Sequence, residues 1–247
     1  MMMDLELLER RYRTVLSRVQ SASERGGRRS DEVTVVAVSK TFPVSHIEAL
    51  YDLGQRDFGE NKVQELRSKQ AHFKSEETCP DIRWHLIGTL QRKKVRQIVD
   101  SIHTFHALDR VDLASEIEKR MTGQRPLDCF LQVNISREGS KHGFFPEDLH
   151  EALHAIVPLS SIRVIGLMGM AAPHGGERRL REQFAELRNL RDHPLTPPEC
   201  RYLSMGMSED YEIAIEEGAS HVRVGSGIFG SRTYPDPPPT TALRTDN

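Results

Sequence analysis

Apolar residues recur along this chain with two alternating periods. Leu5, Leu8, Tyr12, Val15, Leu16 and Val19 return at steps of three and four, which predicts an amphipathic helix stopped by the Gly-containing residues 23–27. Residues 33–39 (VTVVAVS) are β-branched and apolar without alternation, the pattern of a strand covered on both faces. His46, Ile47, Leu50 and Leu53 fit a short helix closed by Gly54. The alternation then repeats. Strands are predicted at 57–59, 83–87, 102–105, 127–133, 162–167, 202–203 and 221–224, with helices at 61–75, 91–99, 109–121, 146–156, 177–190 and 209–217 between them. Asp109 reads as the cap of the helix running to Met121, and Ile228 and Phe229 open something short after the last strand.

Eight strands separated by helices in about 200 residues predict a single (β/α)8 TIM barrel with an extra N-terminal helix. An open doubly wound sheet is the competing arrangement of the same elements. The barrel is expected to occupy residues 1–232, and the Pro-rich residues 233–247 to form a disordered tail. Composition narrows the function classes. With 34 Lys+Arg against 36 Asp+Glu the net charge is −2, which argues against a general nucleic-acid binder. No apolar run reaches the roughly 18–20 residues of a membrane span, and the N-terminal residues lack the continuous apolar core of a signal peptide, so a cytoplasmic location is expected. Cys79, Cys129 and Cys200 are odd in number and far apart, and imply neither a disulfide framework nor a metal site.

In a barrel of this kind chemistry belongs at the C-terminal ends of the strands. The residues expected there are Lys40, Glu60 and Asn61, His85 and Gly88, Asn134, Met168 and Met170, residues 204–208, and residues 225–227. Lys40 ends an uncharged, mostly apolar run. It reads either as a solvated loop lysine or as a partly desolvated amine with a lowered pKa, able to attack an aldehyde. The small-residue segment SMGMS (204–208) and the turn VGSGIFGS (224–231) follow strands seven and eight, where such barrels place phosphate. Arg223 reads as a phosphate ligand, the partner of a ring nitrogen, or half of an ion pair in the barrel wall. His85 reads as a general base or as a histidine hydrogen-bonded inside the barrel. The basic run 92–96 fits a solvated helix face, and His72, His103, His106, His150, His154 and His193 show no ligand spacing, so no metal is expected.

Six segments, taken in order, resemble the pyridoxal 5′-phosphate (PLP) homeostasis proteins. They are AVSKTFP (37–43), FGENKVQE (58–65), WHLIGTLQRKK (84–94), VNISREGSKHGF (133–144), GLMGMA (166–171) and LSMGMSEDYEIAIEEGASHVRVGSGIFGSR (203–232). The resemblance implies a barrel like the N-terminal domain of alanine racemase, the type III fold of PLP proteins, holding PLP as a Schiff base on Lys40. Asn61 would lie near the cofactor ring. Ser204, Gly225 and Ser226 would bind the phosphate, and Arg223 would face the pyridine nitrogen. Phe42 stands where the family often carries lysine or another polar residue, and Lys94 replaces a common asparagine.

Alanine racemase resembles this barrel but adds a β-rich domain that supplies a second acid–base tyrosine. Here only the tail follows residue 232, and none of the five tyrosines falls after a predicted strand. The expectation is therefore a monomeric carrier that buffers or delivers PLP, with apo PLP-dependent enzymes as candidate partners and no catalytic residue. The rivals are a small PLP-dependent racemase or lyase using Lys40, alone or with His85, and a barrel enzyme acting on a phosphorylated metabolite.

Overall fold

The computed structural model of the chain describes residues 5–139, 141–172 and 175–230. Eight parallel strands close into a barrel in chain order: β1 (Thr34–Val38), β2 (Asp57–Glu60), β3 (Arg83–Leu86), β4 (Thr104–Leu108), β5 (Leu127–Val133), β6 (Ile162–Gly169), β7 (Tyr202–Met207) and β8 (His221–Val224). Closure is made by β8 against β1, with Val35 opposite Val222 and Val36 opposite Arg223. The open-sheet alternative is thereby excluded. The helices α2 (Val44–Asp52), α3 (Val63–Ser75), α4 (Val111–Arg120), α5 (Leu149–Ile156), α6 (Gly176–Arg191) and α7 (Tyr211–Glu216) connect the strands, and α8 (Ser226–Phe229) follows β8.

The extra helix α1 (Leu5–Arg25) lies outside the barrel, packed on α7 and α8. Its buried stripe is Leu8, Tyr12, Val15, Val19 and Ala22, the three-and-four spacing of the sequence. Each large side chain on that stripe contributes about 1.5–3 kcal/mol by leaving water. Tyr12 donates its hydroxyl to Gln55 Oε1 at 2.9 Å, and Arg25 bonds Glu216 at 2.6 Å, so the helix is fastened at both the β1–β2 connection and α7.

Four elements depart from the sequence expectation. Residues Arg92–Gln97 form a 3-10 helix rather than an α-helix. Val95 and Ile98, three apart, are the buried anchors of that turn, and three-residue spacing suits its tighter winding. Arg92 lies within 3.6 Å of Asp112 and Glu116, so the start of the basic run is tied to α4. Strand β4 starts two residues later than predicted and runs through His106, because Thr104 and His106 face a polar barrel interior and hide the strand signal. Asp109 does not cap α4. The N-cap is Arg110, and the Asp109 carboxylate takes Arg110 and His142 Nδ1 instead. Strand β7 extends through Met207, so residues 204–207 are strand rather than loop. Gly206, at φ +88°, breaks its regular pairing with β8, and a side chain there would meet Ala214 Cβ at 2.6 Å. The tail expected over 233–247 lies outside the described residues. Among the described residues no helix is long and apolar enough to cross a membrane, and no His, Cys, Asp or Glu cluster has metal-binding geometry.

Candidate cofactor site at the carboxyl end of the barrel

Lys40 stands two residues beyond the end of β1 and is half-buried. The backbone on both sides of it is pinned by side chains of β2 and α3. Lys69 Nζ donates to the Ser39 carbonyl at 2.8 Å, to Glu60 Oε1 at 2.7 Å and to Glu65 Oε1 at 2.9 Å. Ser39 Oγ also donates to Glu60 Oε1, at 2.7 Å, and the Thr41 amide donates to Glu65 Oε1. Thr41 itself is left-handed, at φ +70°. A threonine there costs about 1–2 kcal/mol and turns the chain sharply just after Lys40. Glu60 is fully buried, and among the described residues its Oε2 has no hydrogen-bond partner. Burial pushes its carboxyl up, against the pull of Lys69. Glu65 and Lys69 are four apart on α3, the spacing of a helical ion pair, and the structure adds what that pair holds.

Asn61 follows β2 and is exposed. It leans on Gly88, where a Cβ would fall 2.5 Å from Asn61 Oδ1, so only glycine fits behind it. On the other flank of β1, Gly225 sits against Val38, whose carbonyl would lie 3.5 Å from a Cβ at that position. Phe42 stacks on Phe229 with ring centroids 4.9 Å apart, joining the loop after Lys40 to the turn after β8. Lys40 and Gly225 are therefore brought to adjoining strand ends, with Ser226 exposed beside them.

Ser204 takes a different place. It lies inside the barrel, fully buried, with its Oγ accepting from Arg223 Nη1 at 2.6 Å and 2.8 Å from His106 Nδ1. The serine at the glycine turn is Ser208. Its Oγ accepts from the Gly225 amide at 3.1 Å and the Gly227 amide at 3.2 Å. The sequence marks the whole segment 204–208 as a phosphate loop, and the resemblance picks Ser204 from it; with β7 running through Met207, Ser208 is the serine that reaches the turn.

Arg223 is 5% exposed, and its Nη2 donates to the Gly169 carbonyl at 3.1 Å. Among the described residues no carboxylate comes within ion-pair distance of it. Burial pushes its guanidinium down to about 10, with a weaker upward pull from Asp210, so it stays charged at neutral pH. A buried cation lacking a carboxylate suits an acceptor that belongs to a ligand. His85 also lies inside the barrel, bonded to Asp57 Oδ1 at 3.0 Å and His106 Nε2 at 2.9 Å. Of its two sequence readings, the interior histidine is the one observed.

The chain matches the alanine racemase N-terminal domain family over residues 13–233. A pyridoxal phosphate homeostasis protein of Aquifex aeolicus is 38% identical over 230 residues, covering 91% of this chain and 98% of the relative. The structure of PipY from Synechococcus elongatus, solved with PLP bound, superposes with a TM-score of 0.72 at 34% identity, covering 81% of this chain and 93% of PipY. Alanine racemase from E. faecalis shares only the fold, with a TM-score of 0.65 at 13% identity over 88% of this chain and 58% of its own. The eight-stranded barrel, its extra helix and these matches agree: the chain belongs to the family of the alanine racemase N-terminal domain, in the group whose members are named pyridoxal phosphate homeostasis proteins.

Proposed function

We propose that this chain binds PLP at the carboxyl end of its barrel and serves its storage and delivery rather than a robust catalytic cycle. The observation that carries the reading is the placement of Lys40. Its neighbours Ser39 and Thr41 are clamped by Lys69, Glu60 and Glu65, and it adjoins the turn that holds Gly225. The names of the relatives and the PLP-bound PipY structure support the same cofactor.

The residues present fit the group. Lys40 supplies the amine for the cofactor's aldehyde. The hydroxyls of Ser226 and Ser208, at a turn where Ser208 Oγ gathers the amides of Gly225 and Gly227, supply donors for a phosphate. Asn61 borders the ring on the β2 side. Arg223 offers a permanent cation to the ring nitrogen, and Ser204 supports Arg223 from below rather than reaching the phosphate. When bound, PLP supplies an aldehyde that condenses with amines and a ring that delocalises negative charge. An arginine at the ring nitrogen cannot take up a proton and disfavours a protonated nitrogen, so the ring is a weak electron sink here.

Two further features favour a carrier over the racemase or lyase alternative. His85 is committed inside the barrel to Asp57 and His106, away from the rim where a second base would stand. Among the described tyrosines, Tyr12 bonds Gln55, Tyr51 bonds Asp81, Tyr202 begins β7 at the opposite end of the barrel, and Tyr211 is buried in α7. Tyr234 lies outside the described residues. We further read the chain as a monomer whose clients are apo PLP-dependent enzymes.

Transfer tests this. The PLP-loaded protein is mixed with an excess of an apo PLP-dependent enzyme, and the recovery of that enzyme's activity is followed. Release faster than free PLP would reappear, with no loss of the α-proton of added amino acids into deuterated water, is expected. Retained cofactor, or α-proton exchange well above that of free PLP, overturns the carrier reading.

A further inference from the structure

The interior of this barrel holds a file of polar side chains that runs from one end to the other. Asp57, the first residue of β2, lies 3.0 Å from His85 Nε2 on β3. His85 Nδ1 is 2.9 Å from His106 Nε2 on β4, His106 Nδ1 is 2.8 Å from Ser204 Oγ on β7, and Arg223 Nη1 on β8 is 2.6 Å from the same oxygen. Strands β4 and β7 are not neighbours, so the His106–Ser204 bond crosses the lumen. The ring of Phe130, 4.6 Å away, packs against His106. At its far end the file opens into a basin of about 1090 Å³ at the amino ends of the strands, lined by Asp57, Arg83, His85, Asp128, Arg163 and His221 among others. At its near end it stops at Arg223, two residues before Gly225.

The two ends dictate the direction of every bond between them. Arginine only donates. Asp57 is gripped by Arg83 through two bonds of 2.7 and 2.5 Å, which keeps it ionised and only able to accept. Ser204 Oγ accepts from Arg223, so its own proton goes to His106 Nδ1. His106 must then carry its proton on Nε2 and donate to His85 Nδ1. His85 in turn carries its proton on Nε2 and donates to Asp57. Every donor meets an acceptor, with both imidazoles neutral. A proton added to His85 would force His106 to turn its donor toward Ser204 and leave the buried serine proton without an acceptor. The reverse ordering needs a protonated Asp57 and a neutral arginine. A file with one ordering holds a group in place; it does not conduct protons.

We propose that Asp57, His85, His106 and Ser204 are positioning residues that aim the Arg223 guanidinium at the ring nitrogen, so that the contact made at one end of the barrel is set from the other. The proposal rests on the PLP reading for the identity of what Arg223 meets.

Two measurements test it. Side-chain nitrogen NMR of the cofactor-free protein at pH 7, assigned with His85→Gln and His106→Gln, should show both histidines as neutral Nε2–H tautomers. An imidazolium at either, or an Nδ1–H tautomer at His106, overturns the file. The second measurement is a PLP titration followed by visible absorption on native protein, Ser204→Ala, Asp57→Asn and their double variant, with thermal melts confirming the fold. Each single change should weaken PLP about tenfold, the worth of one charge-assisted hydrogen bond, and shift the band. The double variant should be no weaker than the worse single, because both cut the same file. A native band that persists unchanged in both single variants, or strict additivity, overturns the proposal. A native protein with no Lys40-dependent band overturns the cofactor reading itself, which the NMR result leaves distinguishable.

Discussion

Lys69→Met isolates the clamp beneath Lys40. The native ammonium is 7% exposed and touches Glu60 Oε1 at 2.7 Å, Glu65 Oε1 at 2.9 Å and the Ser39 carbonyl at 2.8 Å. Methionine fills most of the volume but removes every one of those bonds. Glu60, with no exposed surface and one oxygen already unpartnered, then holds a charge with only the Ser39 hydroxyl beside it. Breaking one side of a buried ion pair costs about 3–5 kcal/mol. For a domain of this size that corresponds to a fall in Tm of roughly 6–20 °C.

The sign of the pH dependence follows from Glu60. Its carboxyl is already raised by burial, and loss of Lys69 raises it further. Between the unfolded value of about 4.5 and the folded value, the native state binds the extra proton, so stability falls as pH rises, by up to about 1.4 kcal/mol per unit. The Lys69→Met penalty should therefore be smaller at pH 5 than at pH 8, and Lys69→Met with Glu60→Gln should recover most of it. Urea unfolding of the four proteins of this cycle at both pH values reads the result. A loss below about 1 kcal/mol at pH 8, or a double variant no more stable than the single, would refute the reasoning.

Acid should weaken the barrel through its interior histidines. Burial pushes His106 well below its ordinary range and His221 to about 3, so below pH 6.5 the unfolded chain takes up protons that the folded one refuses. Each such histidine removes about 1.4 kcal/mol of stability per unit as pH falls toward its folded value, and a stability curve flat from pH 7 to 4 would contradict this. Gly88→Ala should cost about 1–3 kcal/mol in urea unfolding, because the new methyl overlaps Asn61. It should also move the Asn61 side-chain amide resonances. Tyr12→Phe removes the 2.9 Å bond to Gln55 and should cost about 1 kcal/mol, with hydrogen exchange faster in α1 than in the strands; an unchanged exchange rate would mean this bond does not hold the helix.

The barrel was legible because its signal is repeated eight times. The apolar runs of β1 and β5 and the three-and-four spacing of α1 each left little choice of element, and their bounds agree with the sequence to within a few residues. The two misplaced strands share one physical cause. Where strands face a polar lumen, inward positions such as His106 and Ser204 stand in place of valine or leucine, and the run of apolar residues that marks a strand is interrupted. Hence β4 was predicted early and β7 short. The same polarity hid the site's support. Lys40, Asn61, Arg223, Gly225 and Ser226 are named by motifs, but nothing in the sequence singles out Lys69, whose role needs β2 and the Ser39 carbonyl beside it. Ser208, His106 and Asp57 gain their roles only from strands or turns distant in the chain.

The attachment point of an aldehyde cofactor decides the function. Native protein incubated with PLP, reduced with borohydride, digested and mapped by mass should carry one pyridoxyl group, on Lys40. The visible band should vanish from Lys40→Ala while its melting curve stays within a few degrees of native. A pyridoxyl group spread over surface lysines, or a band that survives in Lys40→Ala, would contradict attachment at Lys40.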